Sequence, residues 1–306
     1  MKIEIIERHQ INQEKWNILN SSSNTPFFTS LFYLDTVWSN WSALVIGDYE
    51  ACFPVRIKSI LGKKMTIHPL FVTKLELLGN QDYLPALTNY LNENYAFVHL
   101  FVDEDFRPYI KNFKTRIYQV LELKKHYEDL KKSFSQNAKR LISKFDKSDC
   151  SINSNVEIDR LEILLEFFKI QKGHIYKNIN AKSIQILNVL IRKANELGKI
   201  QIIEATFNGS VCAFGIFLIE HGKALYLKGT VNDIGKENGA MYKVFDTFLK
   251  KNSMDIELLD FGGANDKGLS EFNRKFGAKD FQYINMTYNH MPFILSSLLA
   301  KRYKIN

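Results

Sequence analysis

The sequence has little of what usually announces a chemistry. Its 306 residues hold only three cysteines, Cys52, Cys150 and Cys212. They are far apart and odd in number, and no C-x-x-C pair exists, so neither a zinc site nor a disulfide framework is expected. Each reads as a small buried hydrophobe in a reducing compartment. The seven histidines, His9, His68, His99, His126, His174, His221 and His290, never fall at H-x-x-x-H or H-E-x-x-H spacing. That speaks against a zinc hydrolase, and no metal is expected. A G-x-S-x-G elbow, a Walker loop and a G-x-G-x-x-G turn are all missing, which removes the main support for a hydrolase triad or a nucleotide-binding fold. No apolar run reaches the roughly eighteen residues of a membrane span. The opening MKIEIIERHQ lacks the charged-then-apolar layout of a signal. A cytoplasmic chain without a transmembrane segment is the expectation.

What the sequence does hold fits two ordinary globular domains. The length is about twice that of a usual domain, and 23 Phe and 14 Tyr supply enough large side chains for two cores. The net charge of +8 is unevenly spread. Residues 1–123 carry 12 Lys/Arg against 13 Asp/Glu, residues 124–150 carry 8 against 4, and residues 151–306 carry 21 against 16. A surplus that begins in the middle favours an anionic partner, such as a phosphate-bearing cofactor, tRNA or a nucleotide-linked acceptor. Its alternative is a set of solvated lysines.

Along the chain, Lys2–Ile6 reads as a strand, with helices over Asn12–Asn20 and Phe32–Trp38. Gly47-Asp48-Tyr49-Glu50 is a hairpin signal between two apolar runs. Tyr127, Leu130, Phe134, Ala138, Leu141 and Phe145 recur at helical spacing among lysines, predicting one basic helix. Asp149–Asn155 is polar and reads as a connection, which places the domains at 1–123 and 151–306 with the helix of 124–150 between them. The second half predicts two helices, then strands over Ile200–Phe207, Val211–Ile219 and Lys223–Val231. Asn208-Gly209 and His221-Gly222 mark the hairpins. Helix, strand, helix, strand complete the order. The tail Met291–Tyr303, apolar then basic, is expected to pack back and bury Phe293, Leu295 and Leu298, with a membrane-surface role as the alternative.

That order resembles a GNAT acyltransferase domain. Leu259-Asp260-Phe261-Gly262-Gly263, Gly268-Leu269 and Phe272-Asn273-Arg274-Lys275-Phe276-Gly277-Ala278 resemble the C-terminal signature of FemAB-like proteins. Ser135–Arg140 looks like their basic inter-domain helix. Tyr33-Leu34-Asp35 through Trp38, Phe53-Pro54-Val55 and His68–Phe71 are similar to their degenerate first module. The resemblance covers nearly the whole chain and is strongest over 226–288. It implies an α/β (α+β) fold of two tandem GNAT-like modules, with mixed, mostly antiparallel sheets flanked by helices. It also implies acyl or aminoacyl transfer from acyl-CoA (acetyl-CoA among them) or aminoacyl-tRNA to an amine, such as a small molecule or a peptidoglycan precursor.

Transfer to an amine needs an oriented amine, a polarised acyl carbonyl and a dock for the leaving group. On the GNAT pattern the dock falls on Asn232–Ala240, where Gly235, Lys236, Gly239 and Ala240 would meet a pyrophosphate at a helix start. Asp233 and Glu237 would face a phosphate poorly, and an ordinary strand-to-helix turn is the plain alternative. Asp260, ending a strand beside Gly262 and Gly263, is the candidate to orient or deprotonate the amine, or else caps a turn. Lys139, Arg140, Lys228, Arg274 and Lys275 are the candidate phosphate or carboxylate binders, with solvated helix faces as the plain reading. Asn273 stands where such proteins often have a lysine, so no lysine role carries over. QKGHIYKN, with His174, Tyr176 and Lys177, is a candidate lid. Basic and aromatic residues do not interleave as in RNA-recognition modules, so no stable nucleic-acid complex is expected. The rival from another class is a GNAT-like module that binds an anionic ligand without turnover.

Overall fold

The computed structural model describes residues 2–173 and 180–303. His174, Tyr176 and Lys177 of the candidate lid lie outside them. In chain order the main elements begin β1 (Ile3–Glu7), α1 (Gln13–Ser21), α2 (Pro26–Thr29), α3 (Leu31–Val37), β2 (Ser42–Ile46), β3 (Ala51–Val55), β4 (Lys58–Ile60), β5 (Lys63–Ile67), β6 (Leu78–Gly79), α4 (Leu84–Asn94), β7 (Phe97–Asp103) and β8 (Phe113–Glu122). Then come α5 (Tyr127–Lys132), α6 (Gln136–Asp146), β9 (Cys150–Asn153), α7 (Leu161–Lys172), α8 (Ala181–Glu196), β10 (Ile200–Phe207), β11 (Ser210–Glu220) and β12 (Lys223–Val231). The chain finishes with α9 (Asp233–Asn238), α10 (Ala240–Asn252), β13 (Leu258–Gly263), α11 (Lys267–Arg274), β14 (Lys279–Asn289) and α12 (Phe293–Tyr303).

The chain divides into two compact units, Met1–Ile117 with Gln282–Asn306, and Tyr118–Phe281. These bounds differ from those expected of the sequence. The basic segment 124–150 belongs within the second unit, and the last strand and tail go with the first. Its helix is also two helices, because Ser135 turns out of α5 and caps α6, accepting from the Ala138 N–H at 3.1 Å. The apolar stripe of α6, Ala138, Ile142 and Phe145, joins the core of the second unit beside Ala240 and Phe245, which is why this segment is no linker. Asp149–Asn155, expected as a loop, contains β9. Cys150 and Ile152 lie half-buried on that core while Ser151 and Asn153 face out, a two-residue alternation too short to read from sequence.

In the first unit, β1-β2-β3-β6 form an antiparallel sheet and β4-β5-β7-β14 follow one another in a second set of strands. Trp16 and Trp41 pack at 5.1 Å in its core. The buried Glu76 carboxylate ties down the Ser23–Thr25 loop, accepting from Ser23 Oγ at 2.7 Å and the Thr25 N–H at 3.0 Å. The tail corrects one expectation. It packs back through Met291, Leu295, Leu299 and Tyr303 against Met65 and Phe97, yet Phe293 and Leu298 face solvent. A four-residue repeat from Met291 selects the buried face and turns those two away from it.

In the second unit the strand order is β8-β13-β12-β11-β10-β9. The Asn208-Gly209 and His221-Gly222 turns all have positive φ, the two-residue hairpin geometry their sequence predicts. One face of the sheet carries α10 in a dense aromatic core. The Phe217 and Phe248 rings stack at 3.9 Å, and Phe245 reaches Phe217, Phe261 and Phe276 within 5.5 Å.

Candidate active site

The site grows from an interruption in this sheet. β12 runs parallel to β13 only where Lys223, Ala224 and Leu225 face Leu258, Leu259 and Asp260. Beyond that register Tyr226–Val231 and Phe261–Gly263 no longer pair with each other, and the strands part. Both carry a bulge at this point. Against β11, Lys228 faces Ile216 and Tyr226 faces Phe217, which leaves Leu227 extra. Against β8, Asp260 faces Val120 and Gly263 faces Tyr118, so Phe261 and Gly262 together oppose Gln119. A bulge adds local twist and bends the strand, and two of them at one level open a parallel pair into a split.

Glycines make this geometry feasible. Gly262 sits at φ +74, where a side chain would be strained. Gly229 lies opposite Gly215 across β11 and β12, and a Cβ on it would fall 2.3 Å from the Phe214 carbonyl oxygen and 2.4 Å from Tyr226 Oη. Neither Gly215, Gly229 nor Tyr226 stood out in the sequence. Each sits within a run that reads as plain strand, and only the cross-strand register shows the crowding.

Asp260 lies at the last paired position and is 1% exposed. Its Oδ1 accepts the Gly262 N–H at 2.6 Å. The carboxylate therefore holds the bulge in shape. Lys228, half-buried on the other side of the split, has its ammonium held below the ordinary range by burial.

The remaining candidates are placed separately. Gly235 and Gly239 do permit close approach, but to protein. A Cβ on Gly235 would lie 2.4 Å from the Cys212 carbonyl oxygen, and one on Gly239, at φ +75, would lie 2.4 Å from that of Leu141 in α6. Ala240 is core, and Lys236 pairs with Asp233 at 2.7 Å. The Arg274 guanidinium grips Asp280 at 2.5 and 3.2 Å, and Lys275 Nζ lies 3.2 Å from Tyr242 Oη. Lys139 folds back onto the Lys132 carbonyl at the end of α5, at 3.2 Å. Of the five candidate cations, Arg140 alone lines the groove described next. Asn273 is fully buried and donates to Gln119 Oε1 at 2.9 Å, while Gln119 donates in turn to Asp280 at 2.7 Å. Its place is in a polar network that fastens α11 to β8.

One candidate, Arg140, does lie in a concave surface. A groove of about 620 Å³ is lined by Arg140, Ser143, Lys144, Lys147, Ser148, Asp149, Phe207 and Asn238. Arg140 and Lys144 of α6 and Lys147, which caps its C-terminal end, fall on one exposed stripe at intervals of four and three. Arg140 donates to Asn137 Oδ1 at 3.0 Å. Among the described residues none of the three is paired with a carboxylate, unlike neighbouring Lys236 and Lys243. Sequence alone does not single out Lys144 and Lys147, because a lysine-rich helix face looks the same whether or not it borders a hollow.

The strand order of this sheet and its split pair fit the GNAT fold, and the chain is similar over nearly its whole length to solved structures that include a tandem GNAT protein. The chain aligns over 97% of its length with FemX, covering 99% of that chain at a TM-score of 0.67 and 10% identity. L-PGS from Bacillus licheniformis matches at a TM-score of 0.57 and 10% identity, over 95% of this chain and 96% of that one. A tandem GNAT protein from the clavulanic acid biosynthesis pathway matches at 0.57 and 9% identity, over 95% and 99%. No family model and no curated protein matches the sequence.

Proposed function

We propose that the protein is an N-acyltransferase or aminoacyltransferase. It takes an acyl or aminoacyl group from acyl-CoA or aminoacyl-tRNA to the amine of a small molecule or cell-wall precursor. The observation that carries this reading is the parting of β12 from β13 beyond Leu225 and Asp260. Strand edges that have left each other can take an extended, amide-bearing ligand between them by main-chain hydrogen bonds. The amine nitrogen bonds to the acyl carbon, the thioester or ester bond breaks, and an amide and a free thiol or hydroxyl result. Direct attack agrees with the state of the thiols, since burial pushes Cys52 and Cys212 up to about 12 and keeps them protonated. Phosphates of the donor are assigned to Arg140, Lys144 and Lys147, in place of the glycine turn at 235–240. Lys228 stands beside the split, where burial disfavours its charged form and suits it to take up a proton. Gly262 and Gly263 keep the opposite lip free of side chains, and Asp260 acts through them as a positioning residue.

The burial of Asp260 favours a second reading, an anion-binding GNAT-like module without turnover. One experiment separates the two. The full chain is incubated with acetyl-CoA, longer acyl-CoAs and charged tRNA in turn, with a panel of amines, while thermal stability and amide product are followed together. Saturable stabilisation with product supports the transferase. Stabilisation by one donor without product selects the binding module, and no response to any donor overturns both.

A further inference from the structure

The outward face of α12 does not look like a surface made only for water. Phe293 is 86% exposed, Ile294 74% and Leu298 60%, all on one side of the helix and within two turns. Single exposed apolar residues are ordinary, whereas a cluster on an anchored helix is not. The helix is anchored, because Leu299 and Met291 are buried with Met65 and Phe97, and the Tyr303 ring lies 5.3 Å from His99 and 5.8 Å from Phe97. It therefore lies flat on the first unit and presents Phe293, Ile294 and Leu298 first and Lys301 and Arg302 last, all outward.

A second segment adjoins it. The Lys64 carbonyl accepts from the Ala96 N–H, and the Ala96 carbonyl from the His290 N–H, both at 2.8 Å, which sets the β4–β5 hairpin beside the start of α12. Leu61 at the hairpin tip is 84% exposed, next to exposed Lys63 and Lys64. Segments 56–73 and 291–303 contain no Asp or Glu at all.

We propose that this face of the first unit, Phe293, Ile294 and Leu298 with Leu61, ringed by Lys63, Lys64, Lys301 and Arg302, docks on an anionic phospholipid surface. Apolar side chains on a flat helix insert at the level of the headgroups, and the cations meet the phosphates. Charge decides the occupant. A second copy of this chain would set these cations against their own likeness with no carboxylate in either segment to relieve them, whereas an anionic bilayer complements them. No helix among the described residues is long and apolar enough to cross a membrane, so the contact is peripheral. The proposal is independent of which donor the second unit uses.

The test is flotation of the full chain with phosphatidylcholine vesicles, with and without phosphatidylglycerol, at low and high salt. We expect binding to the anionic vesicles only, weakened by salt. A Phe293→Ser, Ile294→Ser, Leu298→Ser variant should lose about tenfold or more in partitioning, and Lys301→Glu with Arg302→Glu roughly fivefold or more per charge. Both variants change exposed side chains only, and unchanged tryptophan emission will show that the fold is kept. The proposal fails if the wild-type chain stays unbound, or if both variants float like it. It fails equally if sedimentation shows a dimer that the serine variant dissolves, since a second copy then covers the face.

Discussion

At the scale of single residues the decisive fact is where a polar group has been put out of reach of water. Asp260 spends one oxygen on the Gly262 N–H and has almost no exposed surface. Asp260→Ala is expected to cost about 1–3 kcal/mol and to lower turnover with it. Asp260→Asn keeps an acceptor oxygen and should recover most of the stability in thermal unfolding. If Asn loses as much turnover as Ala while folding normally, the charge itself acts on the amine and the positioning role is wrong. His99 offers a second residue-level test. It is 5% exposed, with Nδ1 3.2 Å from Thr287 Oγ1, and burial lowers its pKa to about 4. The unfolded chain binds the extra proton from about pH 6.5 downward. Stability from this group is therefore complete above that pH, falls by about 1.4 kcal/mol per unit on acidification, and levels off near the folded value. His99→Gln should flatten that slope by one proton in urea titrations at several pH values. An unchanged slope excludes His99 as its source.

At the scale of elements, α6 does two jobs with two faces. Its apolar stripe closes the second core, and the Gly239 backbone comes so near the Leu141 carbonyl that no side chain fits between. Gly239→Ala combines a left-handed backbone with that overlap and should cost roughly 2–5 kcal/mol. Gly198 also has positive φ but nothing within 4 Å of a built Cβ, so Gly198→Ala should cost only about 1–2 kcal/mol. Equal losses would mean that α6 does not press on α10 as described. The other face lines the groove. Arg140→Ala, Lys144→Ala and Lys147→Ala should each leave stability within about 0.5 kcal/mol. Donor affinity should fall several-fold for each, more at low salt, since a Debye length near 10 Å at 0.1 M screens such charges. Affinity that ignores all three substitutions would remove the groove from the site. Sequence shows this helix clearly by its spacing. It does not show that Ser135 breaks it in two, because a serine inside a helical pattern and a serine capping a new helix look alike until the Ala138 N–H is found on its oxygen.

At the scale of the whole molecule, the chain returns to its first unit at the end. Residues 283–289 of β14 pair with β7, with Tyr283 opposite Asp103 and Asn289 opposite Phe97, and α12 closes over Met65 and Phe97. A chain stopped after Phe281 should therefore damage the unit that contains the N-terminus. All three tryptophans, Trp16, Trp38 and Trp41, are buried in that unit, so their fluorescence reports on it alone. Truncation should shift their emission to the red. Emission that stays blue would show that 282–306 is dispensable to the first unit, against the division described.

Local pattern was enough for the parts of this protein that are local. The Asn208-Gly209 and His221-Gly222 turns, the three strands they join, the helix closed by Gly198 and the order of the second half all follow from periodicity and from backbone demands that few residues meet. The missing motifs likewise leave metal and triad chemistry without support in the sequence itself. Tertiary structure alone decided where β12 leaves β13, since a split depends on which residues face each other across strands separated by a helix. It alone set Gly235 and Gly239 against the carbonyls of Cys212 and Leu141 while Gly198 meets nothing, and gave Arg274 to Asp280. Both kinds of glycine have the same sequence signature. What differs is the neighbour that arrives from elsewhere in the chain, and periodicity within a segment carries no information about that neighbour.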